Sequence, residues 1–286
     1  MNNDALACFP VHETKRAAVR KALRELDGVN VLFWRYLEGK PQELLHKQLL
    51  HLGALREEVL TSADTLLEAD AEIVTCKARA NKALLEALSP TADLEPETSG
   101  ESHQSTNLLL PANICLLEAL KLNTTEVDAL AWTRMSRDWK MLLYSVRCVQ
   151  DCVYGALLIM QGEQAGGYAS MATCLKVDKK GNPKPNALML ERRVPGYCDW
   201  FKKMKRIRDE IKRGLVVQSD WTANEHTILL SEPYPDGIFV GCKNVRRLSL
   251  DFAAECLCIC AAIINAVHAE LAEISRLAPT DSIPNN

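Results

Sequence analysis

Residues Trp200-Phe201-Lys202-Lys203-Met204-Lys205-Arg206-Ile207-Arg208-Asp209-Glu210-Ile211-Lys212-Arg213-Gly214 decide how this chain is read. Trp200, Met204, Ile207 and Ile211 recur at intervals of four, three and four, which sets them on one face of a helix. Asp199 stands at the start, where an anion and a side-chain acceptor suit a helix N-terminus. Gly214 follows the last cationic turn and stops the helix. The other face carries Lys202, Lys203, Lys205, Arg206, Arg208, Lys212 and Arg213. One apolar stripe fixes such a helix to a core, so neighbouring helices must supply the facing apolar surface.

Those neighbours are legible on both sides. Toward the N-terminus, Glu126 to Gln161 reads as a long helix, capped by Thr124 or Thr125, with Leu142, Val146, Val149, Val153, Leu157 and Met160 as its core face. Gly162 to Gly167 breaks it, and Gly181-Asn182-Pro183-Lys184-Pro185 marks a turn in a basic loop. Toward the C-terminus the period becomes extended. Thr227–Leu230 and Gly237–Gly241, joined by Ser-Glu-Pro-Tyr-Pro-Asp, predict a β-hairpin. Ser249 then caps a last apolar helix over Leu250–Leu277.

The N-terminal region is helical as well. Residues up to about His12 read as a loose terminus, and a helix runs from Glu13 toward Glu38 with Gly28 as an interruption. Pro41 to Leu88 holds the longest regular pattern, with Leu45, Leu49, Leu52, Val59, Ala63, Leu66 and Ile73 in four-three alternation and polar gaps at Arg56 and Asp70. Packing on an antiparallel neighbour accounts for this stripe; a dimerising coiled coil is the sharper reading, weakened by the two gaps. Leu108 to Leu122 reads as a short helix. Ser89 to Asn107 is polar, acidic and punctuated by Pro and Gly, the composition of a flexible linker.

Composition narrows the class. The chain of 286 residues is 48% hydrophobic and 25% charged, with a net charge of −3, which excludes a polycation that coats nucleic acid along its whole surface. Charge is nonetheless concentrated: Lys176 to Arg213 holds thirteen Lys/Arg against five Asp/Glu. No run approaches the roughly 18 uninterrupted apolar residues of a membrane span. The first ten residues lack a basic start and an apolar signal core. Eleven cysteines, an odd number, lie mostly in helical pattern, which fits reduced thiols and a cytoplasmic setting.

Familiar chemistry is sparse. There is no Cys-x-x-Cys; Cys256, Cys258 and Cys260 alternate, and Cys148 and Cys152 are a helical turn apart, spacings that fit small buried core residues. Six histidines occur, none beside a second at ligand spacing; His226 alone is near the basic region. No phosphate-cradling glycine loop and no Gly-x-Ser-x-Gly elbow are present. No metal and no cofactor are expected. Aromatic residues among cations suit base stacking, and Tyr197 and Trp221 are the freer candidates, since Trp200 belongs to the core stripe.

The stretch from about Glu126 to Leu277 resembles HEPN domains, the helical family found in many prokaryotic RNase toxins and defence proteins. The resemblance rests on a long helix with Arg147-Cys148-Val149-Gln150-Asp151-Cys152-Val153-Tyr154, on Tyr197-Cys198-Asp199-Trp200-Phe201 leading into Arg208-Asp209-x-Ile211-Lys212-x-Gly214, and on an extended insert before a last long helix. The family's RNA-cleaving pair comes from an Arg-x4–6-His motif. Arg208 and Asp209 match its first half, but the position four after Asp209 is Arg213. Imidazole can take and return a proton near pH 7, whereas a guanidinium stays protonated and supplies only charge and hydrogen bonds.

The resemblance therefore implies an all-α helical bundle with a small β-hairpin insert and an N-terminal long-helix region. The expected segments are helices over 1–88, a flexible acidic linker over 89–107, a HEPN-like domain over 108–277 with its hairpin near 227–241, and a disordered tail over 278–286. Arg208, Asp209, Arg213 and Asp151 are the catalytic candidates, with Asp151 or Asp209 able in principle to substitute as the base. Lys202, Lys205, Arg206, Arg208, Lys212 and Arg213 are the RNA- or phosphate-binding candidates. The expected function is non-catalytic binding of RNA or of a protein partner in a toxin or phage-defence setting. The alternatives are a metal-independent endoribonuclease using Arg208 and a helical structural protein. A second copy of the chain is an expected partner; a membrane is not.

Overall fold

A computed structural model describes residues 10–30, 40–88, 127–162, 169–212, 216–221, 226–231 and 246–277. In chain order these form α1 (Pro10–Asp27), α2 (Lys40–Leu88), α3 (Val127–Leu130), a π-helical turn (Ala131–Met135), α4 (Ser136–Met160), α5 (Met171–Cys174), α6 (Pro185–Arg193), α7 (Tyr197–Lys212), β1 (Val216–Trp221), β2 (His226–Ser231), β3 (Arg246–Leu248) and α8 (Leu250–Leu277). The protein is an all-α bundle carrying a small antiparallel sheet, in the order β1-β2-β3.

Chain contacts cluster into two units, each assembled from separated stretches and not from the consecutive segments 1–88 and 108–277. One unit draws on 1–16, 66–137 and 215–249; the other on 17–65, 138–214 and 250–286. The expected linker over 89–107, the short helix over 108–122 and the tail over 278–286 lie outside the described residues.

In the larger unit the helical stripes close on one another. Val19, Leu23 and Leu26 of α1, Leu45, Leu49, Leu52 and Val59 of α2, and Leu142, Val146, Val149, Val153 and Leu157 of α4 are buried. So are Trp200, Met204, Ile207 and Ile211 of α7 and Leu257, Ile263, Ile264, Val267 and Leu271 of α8. Trp139 of α4 stacks on Phe252 of α8 with ring centroids 6.3 Å apart. Gly155 lets α2 and α4 approach closely, since a Cβ there would come within 2.5 Å of Gln48 Nε2. That amide donates to the Cys152 carbonyl at 3.0 Å. The Arg56 gap in the α2 stripe is an anchor: its Nη1 donates to the Val29 carbonyl at 2.7 Å and the Asp27 carbonyl at 3.2 Å, satisfying acceptors left over where α1 ends.

In the smaller unit, β1 pairs antiparallel with β2 and β2 with β3. Ile228 and Leu248 face each other across β2 and β3, and both are buried. His226 lies two residues before Ile228, on the same face of the strand, and is buried too. The π-helical turn packs against β1.

Three sequence expectations need correction. The hairpin joins Val216–Trp221 to His226–Ser231, one strand earlier than expected, and 237–241 lies outside the described residues. The N-terminus is helical from Pro10, and His12 is fully buried where a loose end was expected. The start of α7 is held by Glu191, whose carboxylate accepts the Gly196 and Cys198 backbone N–H groups at 2.6 and 2.9 Å. Asp199 stands in the first turn as expected, but its carboxylate pairs with Lys202 at 2.9 Å and does not supply that acceptor.

Two helical runs, Thr133–Met160 and Leu250–Ile274, are long and apolar enough by length and composition to cross a membrane. Their apolar windows are 78% and 61% buried within the fold, as core helices are.

Candidate functional site

The outer face of α7 is cationic in sequence and largely neutralised in structure. Lys202 pairs with Asp199, Lys205 with Asp209 at 2.8 Å, and Arg206 with Glu210 at 3.1 Å, all at helical i,i+3 or i,i+4 spacing. Lys203 reaches Glu255 of α8 at 3.2 Å and lies over the Phe252 ring. Exposed pairs of this kind add little stability, but they remove net charge from the surface. Lys202, Lys205 and Arg206 are thus the weaker part of the expected phosphate-binding set. Arg213 lies outside the described residues.

The charge that remains converges elsewhere. A cleft of about 430 Å³ between α4 and α7 is lined by Lys140, Met141, Leu143 and Tyr144 from α4 and by Arg208, Ile211 and Lys212 from α7. Lys140 and Lys212 have no ion-pair partner among the described residues. Leu143 and Ile211 are buried and form an apolar floor, while Tyr144 and Met141 are 61% and 50% exposed. The cleft combines cations, an exposed phenol ring and apolar surface, which is the chemistry that takes a base on its face and a phosphate at its edge. The Tyr197 expected to stack is fully buried, and the side chain of Trp221 is outside those described.

Beside the cleft lie two ion pairs, one within α7 and one within α4. Arg208 donates to Asp209 Oδ1 through Nε at 3.1 Å and Nη2 at 2.5 Å. Arg147, nearly buried, donates from Nη2 to Ser170 Oγ at 2.8 Å and pairs with Asp151 Oδ1 at 2.8 Å. Its guanidinium carbon sits 4.7 Å from the centre of the Phe201 ring. The Met171 backbone N–H donates to the same Asp151 oxygen at 2.6 Å.

Burial lifts the Asp151 carboxyl above its ordinary range, against the opposing pull of the Met171 N–H and of the Arg147 and Arg208 charges. Burial also acts to raise Asp209, but hydrogen bonds from Lys205 and Arg208 hold it below its ordinary value. Burial lowers the Arg147 pKa, and the like charge of Arg208 adds to the effect. Of the four catalytic candidates, the structure therefore brings Asp151, Arg208 and Asp209 into one electrostatic neighbourhood, but both carboxylates already serve cations or backbone. Asp209 is a poor base, and Asp151 holds the short helix α5 in place.

Sequence reasoning missed Lys140 and Tyr144, two residues on α4 that complete the cleft. The available signal was their i,i+4 spacing on the polar side of the α4 stripe.

It also missed a second constellation, inside the smaller unit. His12 of α1 and His226 of β2 both hydrogen-bond Asp70 of α2, Nε2 to Oδ2 at 2.8 Å and Nδ1 to Oδ1 at 3.0 Å. Arg16 donates from Nη1 to Asp70 Oδ2 at 2.7 Å. Burial alone would raise the Asp70 pKa, but the hydrogen bonds and charges of the two imidazoles hold it far below the usual carboxylate range. The Asp70 gap in the α2 stripe was the visible trace of this cluster. Its ligand atoms lie within 4.8 Å of one another, the described group best placed to hold a metal ion.

Comparison of the chain with protein-family models, with curated proteins and with solved structures found no match.

Proposed function

We propose that this chain is a HEPN-like protein that binds single-stranded RNA in the α4–α7 cleft without cleaving it. One observation carries the reading: Lys140, Arg208 and Lys212 converge on a cleft of about 430 Å³ whose wall is the exposed Tyr144. A volume of that order accommodates a nucleotide-sized group. A base stacks on Tyr144, its flanking phosphates meet Lys140 and Lys212, and Arg208 reaches in from its pair with Asp209. The non-catalytic part follows from proton chemistry, because the described lining of the cleft holds no imidazole and both carboxylates beside Arg208 are committed. The toxin or defence setting belongs to the same proposal and rests on the resemblance alone.

The alternative of a metal-independent endoribonuclease has one observation in its favour, the raised Asp151 carboxyl within the field of Arg208. A base must reach a 2′-hydroxyl, however, and the Asp151 oxygen described here is occupied by Arg147 and by the Met171 N–H.

Fluorescence anisotropy with labelled single-stranded RNA tests the reading. Three phosphate-contacting cations give a slope of log affinity against log salt of about −2. Lys140→Glu and Lys212→Glu should flatten that slope, and Tyr144→Ala should weaken binding about tenfold by loss of one stacked base. Lys202→Glu, on the neutralised outer face, should change little. Salt-insensitive binding, or equal loss in Lys202→Glu, removes the cleft from the reading. RNA cleavage without added metal that vanishes in Arg208→Ala removes the non-catalytic part. Capture of an acidic protein with no RNA affinity points to a protein partner instead.

A further inference from the structure

We propose that His12, Asp70 and His226 form a binding site for a divalent transition-metal ion of the zinc type, which ties the start of α1 and the start of β2 to the middle of α2. The three residues are far apart in the chain, with His12 and Asp70 separated by 58 positions and Asp70 and His226 by 156. All three are buried, at 0%, 1% and 2% exposure. Two imidazoles and one carboxylate are a donor set that suits zinc, iron(II), cobalt(II) and manganese(II).

The cluster contains more polar groups than a buried carboxylate needs. Arg16 alone, at 2.7 Å, would offset the charge of Asp70. Two further imidazoles aimed at the same carboxylate go beyond charge balance, and they bring two ligand nitrogens to one buried point. As ligands, both are required.

Charge is the first objection to a cation here, because Arg16 is already present. Glu13 removes it. Its carboxylate lies 3.5 Å from Arg16 Nε, so Arg16 bridges Glu13 and Asp70. With both imidazoles neutral, Glu13, Asp70 and Arg16 leave the cluster with one net negative charge. A divalent ion brings it to +1, the same net charge as zinc on two neutral imidazoles and one carboxylate.

Geometry is the second objection. Ligands about 2.0–2.1 Å from a tetrahedral ion stand roughly 3.4 Å apart. The present imidazole–carboxylate distances of 2.8 and 3.0 Å open by about half an ångström to reach that figure, while the two imidazoles draw together. Their ring centroids are 6.0 Å apart and inclined at 62°, so neither ring covers the other.

The third requirement is a free lone pair. In the hydrogen-bonded arrangement each imidazole carries its proton toward Asp70. His12 Nδ1 is buried with no hydrogen-bond partner among the described residues, so no second described contact fixes the His12 tautomer. Moving the proton to Nδ1 turns the Nε2 lone pair toward Asp70 Oδ2 and breaks no other hydrogen bond. The depth of the site makes the ion structural, a clip between elements, and not a centre that meets substrate.

The test uses the full chain, stripped with chelator and titrated with Zn2+ and separately with Co2+. Elemental analysis should find one zinc per chain at submicromolar affinity, and the thermal midpoint should rise by roughly 5 °C on saturation. His12→Gln and His226→Gln should each lose the tight zinc and the rise in midpoint. Should those variants fail to fold, the Co2+ spectrum of the unaltered chain decides. Visible d–d bands of a four- or five-coordinate ion without thiolate charge-transfer absorption support the site. Thiolate bands assign the ion to the cysteines and overturn it. Less than one tight zinc per folded chain, or unchanged binding in both folded variants, also overturns it.

Discussion

Replacing Gly155 by alanine sets two opposed effects against each other. Alanine in a helix interior is favoured over glycine by about 1 kcal/mol. The new Cβ would stand 2.5 Å from Gln48 Nε2 and 3.2 Å from Gln48 Cδ, closer than real Cβ contacts come. Gln48 is a flexible side chain, but it cannot swing aside without cost. Its amide donates to the Cys152 carbonyl at 3.0 Å and lies 3.2 Å from Cys152 Sγ. Losing a partly buried hydrogen bond costs about 1–3 kcal/mol, and forcing the neighbouring helix outward adds a similar amount. The balance is a destabilisation of about 1–5 kcal/mol, a fall in thermal midpoint of roughly 2–15 °C. Urea and thermal unfolding of Gly155→Ala, Gln48→Ala and the double variant provide the assay. With Gln48 truncated the clash is gone, so Gly155→Ala should then stabilise by about 1 kcal/mol. A stabilising Gly155→Ala in the unaltered background, or simple additivity in the double variant, would refute the close α2–α4 approach.

Other expectations follow from single contacts. Glu191→Ala should cost about 1 kcal/mol at pH 7, because it removes the acceptor for two N–H groups at the start of α7. Those N–H groups, first that of Cys198, depress the Glu191 pKa in the folded chain. The contribution is therefore present above about pH 4.3 and fades as pH falls further, so the two chains' stabilities should converge in acid. A constant difference down to pH 2 would count against it. Gln150 is fully buried, and neither amide atom has a hydrogen-bond partner among the described residues, so Gln150→Met should raise stability by about 1 kcal/mol in the same urea assay. A loss would mean that the amide is satisfied. Burial pushes the Cys152, Cys174 and Cys260 thiols up to about 12 and Cys198 to about 11. Brief alkylation of the native chain at pH 8, read by mass spectrometry, should leave these four unmodified while the exposed Cys258 reacts first among the described cysteines. Rapid labelling of Cys260 would overturn the depth assigned to it.

The helices were legible because their burial is periodic. The stripe Trp200, Met204, Ile207, Ile211 is the buried face of α7, and the span read for the last helix, Leu250–Leu277, is the observed one. What sequence could not supply was pairing between distant stretches. Nothing in Thr227–Leu230 names Val216–Trp221 as its neighbour, since an antiparallel register is settled by packing and by turn geometry. The cationic face of α7 misled for a related reason. A count of lysines and arginines does not reveal that Asp199, Asp209 and Glu210 lie one helical turn from their partners until the helix is drawn. The polar gaps in α2 were the most telling local sign. Both Arg56 and Asp70 interrupt an apolar stripe, and both prove to be anchors with several partners. A charged residue at a core position signals a buried partner, but sequence alone does not say which residue it is.

The interleaving of the two units bears on how the protein is made. The smaller unit cannot close until the stretch ending at Ser249 has been synthesised, because His226, Ile228 and Leu248 belong to it. The larger waits longer still, for Phe252, Leu257, Ile263 and Leu271 of α8. At 5–20 residues per second, a nascent chain of this length spends roughly 15–60 s on the ribosome. Through most of that time the apolar faces of α2, α4 and α7 have no complete partner surface. Closure of the larger unit is therefore expected to follow synthesis of α8 and not to proceed segment by segment as the chain emerges.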